Sequence, residues 1–201
     1  MMTALQKNFG QTPSQTVGPY FAYGLTASQY RYDFDQPFDD VVALPGAAGE
    51  HIRLEGMVLD GDDKPIGDAM IEISQADASG HYPPTVAETQ AAAFRAFGRM
   101  GTGTDAQNRF MFQTIKPGAE SAGQAPHINV IVLMRGMLVH AFTRIYFSDE
   151  AAANAGDAVL NSVTATRRPT LIAQRSEQGG SVVYRFDIRM QGPQETVFFD
   201  V

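Results

Sequence analysis

Seven short runs rich in β-branched and aromatic residues, separated by turn-forming residues, constrain the fold of this chain more than any other feature. In the first run Ile52 and Leu54 alternate with Arg53 and Glu55, and a period of two is that of a β-strand. The runs occupy residues 52–59, 69–77, 109–115, 127–134, 138–147, 181–190 and 195–201. Because many short strands with turn signals between them are typical of two packed sheets, the sequence predicts an all-β fold, a β-sandwich.

Two further segments have the pattern of short helices. Residues 149–155 begin with Asp149, which could cap a first helical turn, and residues 167–176 carry Pro169 near their start. We expect both helices to lie at the periphery of the sandwich.

The first 50 residues lack a regular period but contain many aromatic side chains, among them Phe9, Tyr20 and Tyr32. A disordered tail would be depleted in such residues. We therefore predict an irregular N-terminal arm over residues 1–50 that packs on the core or on a partner, and a sandwich over residues 51–201. At 201 residues the two form a single domain.

The composition excludes several classes of function. The chain has no Cys, so disulfides, thiolate metal sites and thiol nucleophiles are absent. A net charge of -7 gives no broad positive field for nucleic acid, and a small anionic ligand would need locally placed arginines. No apolar run is long enough to cross a membrane, and the first residues lack the apolar stretch of a signal peptide, so we expect a cytoplasmic protein.

General catalytic motifs give no support for a particular chemistry. The four histidines are not spaced as metal ligands, and no nucleophile elbow or phosphate-binding loop is present. A histidine in an apolar strand, such as His127 or His140, is more often a hydrogen-bonded core residue than a ligand. From composition and spacing alone, the prediction ends at a soluble sandwich domain.

Six stretches, however, resemble the intradiol dioxygenases. They occur in order along nearly the whole chain, at residues 12–20, 52–82, 112–118, 125–130, 143–150 and 184–200. In two-chain members of that family, homologous α and β chains enclose one Fe(III), which two tyrosines and two histidines of the β chain hold, and the heterodimers assemble further. The resemblance implies cleavage of 3,4-dihydroxybenzoate with O₂ to 3-carboxy-cis,cis-muconate, with this chain in the α role and the β chain as its partner.

The resemblance also implies that the metal ligands are degenerate in this chain. At the four matching positions the sequence has Tyr82, Glu120, His127 and Asn129, so one phenolate and one imidazole are missing. A metal site rarely tolerates such a loss, because each ligand supports the geometry of the others. We expect Fe(III) on the partner chain and none here, although Tyr82, Glu120 and His127 could form an improvised three-ligand set.

What the resemblance leaves to this chain is a wall of the partner's site. The arm motif TPSQTVGPY supplies Thr16, Gly18, Pro19 and Tyr20, and the Tyr20 hydroxyl could donate to the substrate carboxylate. Arg135, in a turn between two predicted strands, could attract the anionic substrate. The alternative interpretations are an aromatic anchor on a loop for Tyr20 and a solvated turn residue for Arg135.

Two other functions remain alternatives to an accessory subunit. Glu120 and Asn129 argue against a self-sufficient iron enzyme. The aromatic arm argues against a stand-alone binding module, which would have little use for it.

Overall fold

The computed structural model describes residue 18 and residues 23–33, 35–83 and 93–200, and their regular structure is almost entirely β. The rest includes two short helices, α1 (Ala151–Gly156) and α2 (Ala158–Ser162), two 3₁₀ turns, Ala27–Tyr30 and Arg168–Leu171, and helical residues at 23–25. The strands are β1 (His51–Leu59), β2 (Met70–Ser74), β3 (Phe97–Gly101), β4 (Arg109–Ile115), β5 (His127–Leu133), β6 (Ala141–Phe147), β7 (Ile172–Gln178), β8 (Ser181–Arg185) and β9 (Ile188–Arg189).

The strands form two layers, β3-β2-β5-β6 and β7-β8-β1-β4, and β9 adds to β1. Most neighbours are antiparallel, but β1 runs parallel to β8 and β9. The layers are joined where β6 and β7 pair in parallel through Tyr146 with Ile172 and Phe147 with Ala173. The predicted β-sandwich with short peripheral helices is therefore confirmed.

One face of each layer supplies the core. Leu54 and Phe112 of the β1–β4 pair and Ile71 and Ile128 of the β2–β5 pair are fully buried in one cluster. The backbone of Phe186 lies directly against Gly56 of β1, where a Cβ would stand 1.8 Å from the carbonyl oxygen of Phe186. Only glycine allows this approach. The alternation that predicted the strands also determines which side chains point into the core.

The described part of the arm lies on the sandwich. The backbone N–H of Val42 donates to the carbonyl of Gln113, and Ala43 bridges to Phe94. Ala27 and Val42 are fully buried. The division of the chain at residue 50 stays a prediction.

Three features of the fold differ from the prediction. Residues 167–176 are not a helix, since a 3₁₀ turn ends at Leu171 and β7 follows, paired with both β6 and β8. Strand β3 was not predicted at all. In the run at 195–201, the described residues form only an isolated bridge between Phe142 and Phe199. In the first two cases tertiary pairing outweighs local propensity, and in the third a strand-like run lacks a continuous pairing partner.

The helix predicted at 149–155 is present as α1, but Asp149 does not cap it. Glu150 occupies the N-cap position without a side-chain hydrogen bond. Asp149 instead accepts hydrogen bonds from Lys116, at 2.7 Å, and from the buried Tyr184 hydroxyl, at 2.9 Å. Its carboxylate therefore ties the layers together. No helix among the described residues is long and apolar enough to span a membrane.

Candidate functional site

The four positions that the sequence singled out come together at one end of the β5 strand. The Tyr82 hydroxyl donates to Glu120 Oε1 at 2.9 Å, and the Asn129 amide nitrogen lies 3.4 Å from the same hydroxyl oxygen. His127 Nε2 is 3.5 Å from Glu120 Oε1. The side chains thus surround one small space, as a set of metal ligands would.

Two tightly joined turns place Tyr82 beside Glu120. In the turn before Tyr82, the Asp77 carboxylate accepts hydrogen bonds from the N–H groups of Ser79 and His81. The second turn docks on the first, because the N–H of Gly118 donates to the carbonyl of Asp77 at 2.8 Å. A Cβ on Gly80 would stand 2.0 Å from the carbonyl oxygen of Ala119, so this approach requires glycine. These backbone contacts therefore keep Tyr82 next to Glu120.

His127 is held in one orientation by its backbone neighbour. Its Nδ1 lies 2.9 Å from the carbonyl oxygen of Ala125, and since a carbonyl can only accept, Nδ1 carries the proton and donates. Nε2 then faces Glu120 from a side chain that is 1% exposed. The 3.5 Å separation from Glu120 lacks hydrogen-bond geometry, so Nε2 has no hydrogen-bond partner among the described residues. This is the orientation that a metal-binding imidazole needs.

Asp157 supports that arrangement from behind. It is fully buried and caps helix α2, accepting from the N–H of Leu160 at 2.7 Å. The same carboxylate accepts from the N–H of Ala125 at 2.9 Å and from the Tyr146 hydroxyl at 3.1 Å. Burial opposes its ionisation, but these hydrogen bonds outweigh burial and lower the pKa of Asp157. Asp157 therefore holds in place the backbone at Ala125, directly before the start of β5 at His127.

Tyr82 remains a phenol. Partial burial, followed by the hydrogen bond to the Glu120 carboxylate, raises the pKa of Tyr82 to about 12. At neutral pH its oxygen therefore carries a proton, which Glu120 accepts. Arg144 lies opposite Asn129 in the β5–β6 ladder, and its Nη1 is buried without a hydrogen-bond partner. A cation already stands beside the space that the four residues surround.

This donor set does not fit a ferric ion. The carboxylate is occupied by a phenol proton, the amide of Asn129 is neutral, and only one imidazole is present. Among the described residues, no three His, Cys, Asp or Glu side chains stand close enough to hold a metal ion. Anionic phenolates are the ligands that stabilise a hard ferric ion, and one of the two positions has lost its phenol. That these positions bind no ion stays a prediction.

A cavity of about 330 Å³ lies beside Tyr82. Its walls are largely apolar, with Phe38 and Phe97 in edge-to-face contact. The two arginines at its margin are already paired, Arg95 with Asp39 at 3.2 Å and Arg99 with Glu72 at 2.6 Å. The cavity therefore presents no uncompensated cation to an anionic ligand.

The structure describes two of the five predicted wall residues, Gly18 and Arg135. Thr16, Pro19 and Tyr20 lie outside the described residues, and Gly18 is half-buried with open space where a side chain would be. Arg135 lies in the turn after β5, at the opposite end of that strand from His127, and pairs with Asp68. The structure therefore does not bring Arg135 to the four degenerate positions.

The described arm reaches the neighbourhood of Arg135. Gln29 exchanges hydrogen bonds with the backbone of Gly101, and the Tyr30 hydroxyl oxygen would meet a Cβ on Gly103 at 2.8 Å. Burial, with the charges of Tyr23 and Asp68, raises the pKa of Tyr30. Asp68 thus lies between Tyr30 of the arm and Arg135.

Sequence reasoning missed Arg144, Tyr146 and Asp157. Asp157 had a usable signal, since an Asp directly before the apolar run 158–160 is typical of a helix N-cap. Arg144 and Tyr146 had none. Their positions opposite Asn129 and His127 depend on the β5–β6 register, which one sequence does not reveal.

Comparison with known proteins gives consistent relatives. The family model described as Dioxygenase matches residues 17–192. The protocatechuate 3,4-dioxygenase alpha chain of Burkholderia cepacia is 59% identical over 95% of this chain and 98% of that protein. The beta chain from the same organism is 32% identical over 74% of this chain and 67% of that protein. A solved dioxygenase domain from Streptomyces sp. SirexAA-E has 25% identity and a TM-score of 0.61, covering 90% of this chain and 97% of that one.

Proposed function

Because this chain belongs to the intradiol ring-cleavage dioxygenase family, we propose that it is the alpha, non-iron-binding subunit of a protocatechuate 3,4-dioxygenase. The main support for this proposal is the 59% identity to an alpha chain along nearly its whole length. The enzyme cleaves 3,4-dihydroxybenzoate with O₂ to 3-carboxy-cis,cis-muconate. In this chain the ligand positions carry Glu120 and Asn129, which supports a role other than holding the metal.

Intradiol dioxygenases use Fe(III), and we place it on the partner, a protocatechuate 3,4-dioxygenase beta chain. The homology between this chain and a beta chain supports a pair of similar subunits that assemble into a larger hetero-oligomer. The donor set at Tyr82 speaks against the alternative of a self-sufficient enzyme. The lack of a cysteine and of a membrane-spanning helix among the described residues is compatible with the cytoplasm, where we place the assembly.

In this assembly the chain lines the partner's active site. Gly18 permits close backbone approach, and Pro19 and Tyr20 follow it directly in the sequence. Arg135 carries a fixed positive charge on a chain whose net charge is -7, and its side chain is 67% exposed. A local cation of this kind attracts an aromatic carboxylate that the rest of the chain repels. Thr16, Gly18, Pro19, Tyr20 and Arg135 are the proposed substrate contacts.

The first test compares the chain alone with the chain co-expressed with the beta chain of Burkholderia cepacia. Iron content, visible absorption and oxygen uptake with 3,4-dihydroxybenzoate are measured in both preparations. We expect the absorption of ferric phenolate and oxygen uptake only in the complex. Iron binding with turnover in the lone chain would overturn the proposal, as would failure to form a complex under conditions in which the alpha chain of that organism forms one.

A second test addresses the wall. In the complex, Tyr20→Phe removes one hydroxyl donor, so the KM for 3,4-dihydroxybenzoate should rise by about 10-fold while iron content is unchanged. Catechol, which lacks the carboxylate, serves as the control substrate and should respond equally in both proteins. Loss of iron in the variant would show that Tyr20 does not have the proposed role.

A further inference from the structure

Arg144 of β6 stands beside the four degenerate positions. It is the ladder partner of Asn129, so the two side chains lie on the same face of the sheet. Its charge also reaches Tyr82 and Tyr146. Burial is the main influence on both tyrosines and raises the pKa of each hydroxyl to about 12, whereas the charge of Arg144 acts in the opposite direction. The guanidinium is therefore close to both hydroxyls.

The charge of Arg144 has no carboxylate paired with it in the described part of the chain. Its Nη1 is buried without a hydrogen-bond partner there. Burial of an unpaired charge is costly, so a residue that serves only the fold would be expected to have a partner or to reach the solvent. Every other arginine in a described strand forms an ion pair with a carboxylate, namely Arg53, Arg99, Arg109, Arg175, Arg185 and Arg189.

The groups around this charge are ones that attract metal ions. His127 Nε2 is buried with its lone pair unused, and the Glu120 carboxylate is 3.5 Å from it. Asn129 Oδ1 is also buried without a hydrogen-bond partner among the described residues. An imidazole and a carboxylate are both ligands of Zn²⁺. The donor set is therefore too poor for a ferric ion but is not by itself inert toward a divalent one.

Charge balance decides whether such an ion enters. The Glu120 carboxylate is the one negative group among the four side chains, since Tyr82 is a phenol. The Arg144 guanidinium already offsets that charge. A divalent ion would add two positive charges beside a third in a partly buried setting, where like charges repel strongly because solvent screening is weak. The guanidinium thus supplies the counter-charge that a metal ion would otherwise supply.

We propose that Arg144 takes the place of the metal charge at the four degenerate positions and thereby excludes metal ions from this chain. The inference rests on the proposed function and deepens it, because it names the residue that keeps the subunit metal-free. The exchange of two ligands weakens the binding of a ferric ion. The fixed cation also opposes the divalent ions that the residual histidine and carboxylate would otherwise bind.

The test measures the affinity of the lone chain for Zn²⁺ by titration against a competing metal-binding dye. We expect Arg144→Gln to bind Zn²⁺ at least about 10-fold more tightly than the unmodified chain, because the repelling charge is gone. Adding Glu120→Gln to that variant should abolish the gain, which would locate the ion at the degenerate positions. If Arg144→Gln lowers the melting temperature, Arg144→Met, which also lacks the charge, takes its place in the comparison.

Two controls separate the charge of Arg144 from other effects. Arg144→Lys keeps the charge and should bind Zn²⁺ within about 3-fold of the unmodified chain. Arg95→Gln removes an equal charge at the margin of the cavity beside Tyr82. Because Asp39 already pairs with Arg95 at 3.2 Å, this variant should likewise stay within about 3-fold of the unmodified chain.

The outcomes separate this inference from the proposed function. The inference is wrong if Arg144→Gln and Arg144→Met bind Zn²⁺ no more tightly than the unmodified chain, or if Arg144→Lys or Arg95→Gln gains as much affinity. A gain that survives Glu120→Gln would place the ion elsewhere and would overturn the inference as well. The proposed function fails on a different result, namely iron binding with turnover in the unmodified chain alone.

Discussion

The double variant Glu120→Tyr/Asn129→His should bind about one ferric ion per chain, whereas the unmodified chain should bind none. The geometry supports this gain. Residues 127 and 129 point to the same face of β5, and Ala125 already orients His127 so that Nε2 faces the space beside Glu120. Tyr82 donates to Glu120 at 2.9 Å, so a phenol at position 120 would start close to it. Two phenolates also offset the charge of Arg144.

The measurement is iron content together with the visible absorption that arises from phenolate-to-iron charge transfer. Each single substitution is the control, and each should bind iron far more weakly, because three ligands or fewer of the ferric type remain. Adding Tyr82→Phe to the double variant should abolish the absorption. A double variant that keeps the circular dichroism and melting temperature of the unmodified chain but takes up no iron would show that the four positions do not retain the geometry of a metal site.

Asp157→Ala should lower the free energy of unfolding by at least about 3 kcal/mol. The substitution leaves three buried donors unsatisfied, namely the N–H groups of Ala125 and Leu160 and the Tyr146 hydroxyl. For a chain of this length, the melting temperature should fall by about 6 to 12 °C. Asp62→Ala is the control, since Asp62 is 76% exposed and pairs only with the exposed Lys64. It should change stability by less than about 0.5 kcal/mol.

The effect of Asp157 should also depend on pH in a definite direction. The pKa of Asp157 is lower in the folded protein than the 3.8 of an unperturbed Asp, so the ionised carboxylate stabilises the fold above about pH 3.8. This contribution is lost as the pH falls through the lowered pKa. Urea denaturation at about pH 7 and about pH 3 should therefore show a larger difference between the two proteins at the higher pH. An equal difference at both values would mean that the charge of Asp157 is not what stabilises the turn.

The strands that the sequence predicted best are those with one buried face. β4 has the predicted bounds, residues 109–115, because Phe110 and Phe112 alternate with more exposed residues along its length. β3 was missed because its five residues include Gly98 and Gly101, which weaken any strand pattern. The glycine at 98 has a reason that only the fold reveals. A Cβ there would stand 2.5 Å from Val42 Cγ2 of the arm that crosses it.

The helix predicted over residues 167–176 was based on Pro169 near its start, but the structure has β7 (Ile172–Gln178) over the second half of that segment. Its extended form comes from pairing on both sides, with β6 and β8. One local signal was available. Gly179 and Gly180 both have positive φ, at 59° and 81°, and such a glycine pair is typical of a two-residue hairpin turn.

The site was predictable only in part. Alternation along β5 places His127 and Asn129 on one face, but their meeting with Tyr82 and Glu120 depends on contact between two turns that are distant in sequence. The roles of these residues came from family resemblance and not from their spacing. Asp157 combines a local helix cap with a long-range contact to Ala125, and only the first of these is visible in the sequence.

The joined turns around Gly80 and Gly118 have a consequence for how the subunit is made. Main-chain hydrogen bonds and two close glycine contacts hold them together. On the proposed assignment of the iron to the partner, this chain can therefore reach its folded structure when iron is scarce. Newly made copies would then stay inactive until the proposed partner has bound its metal, so iron supply would limit the yield of active enzyme through that partner alone.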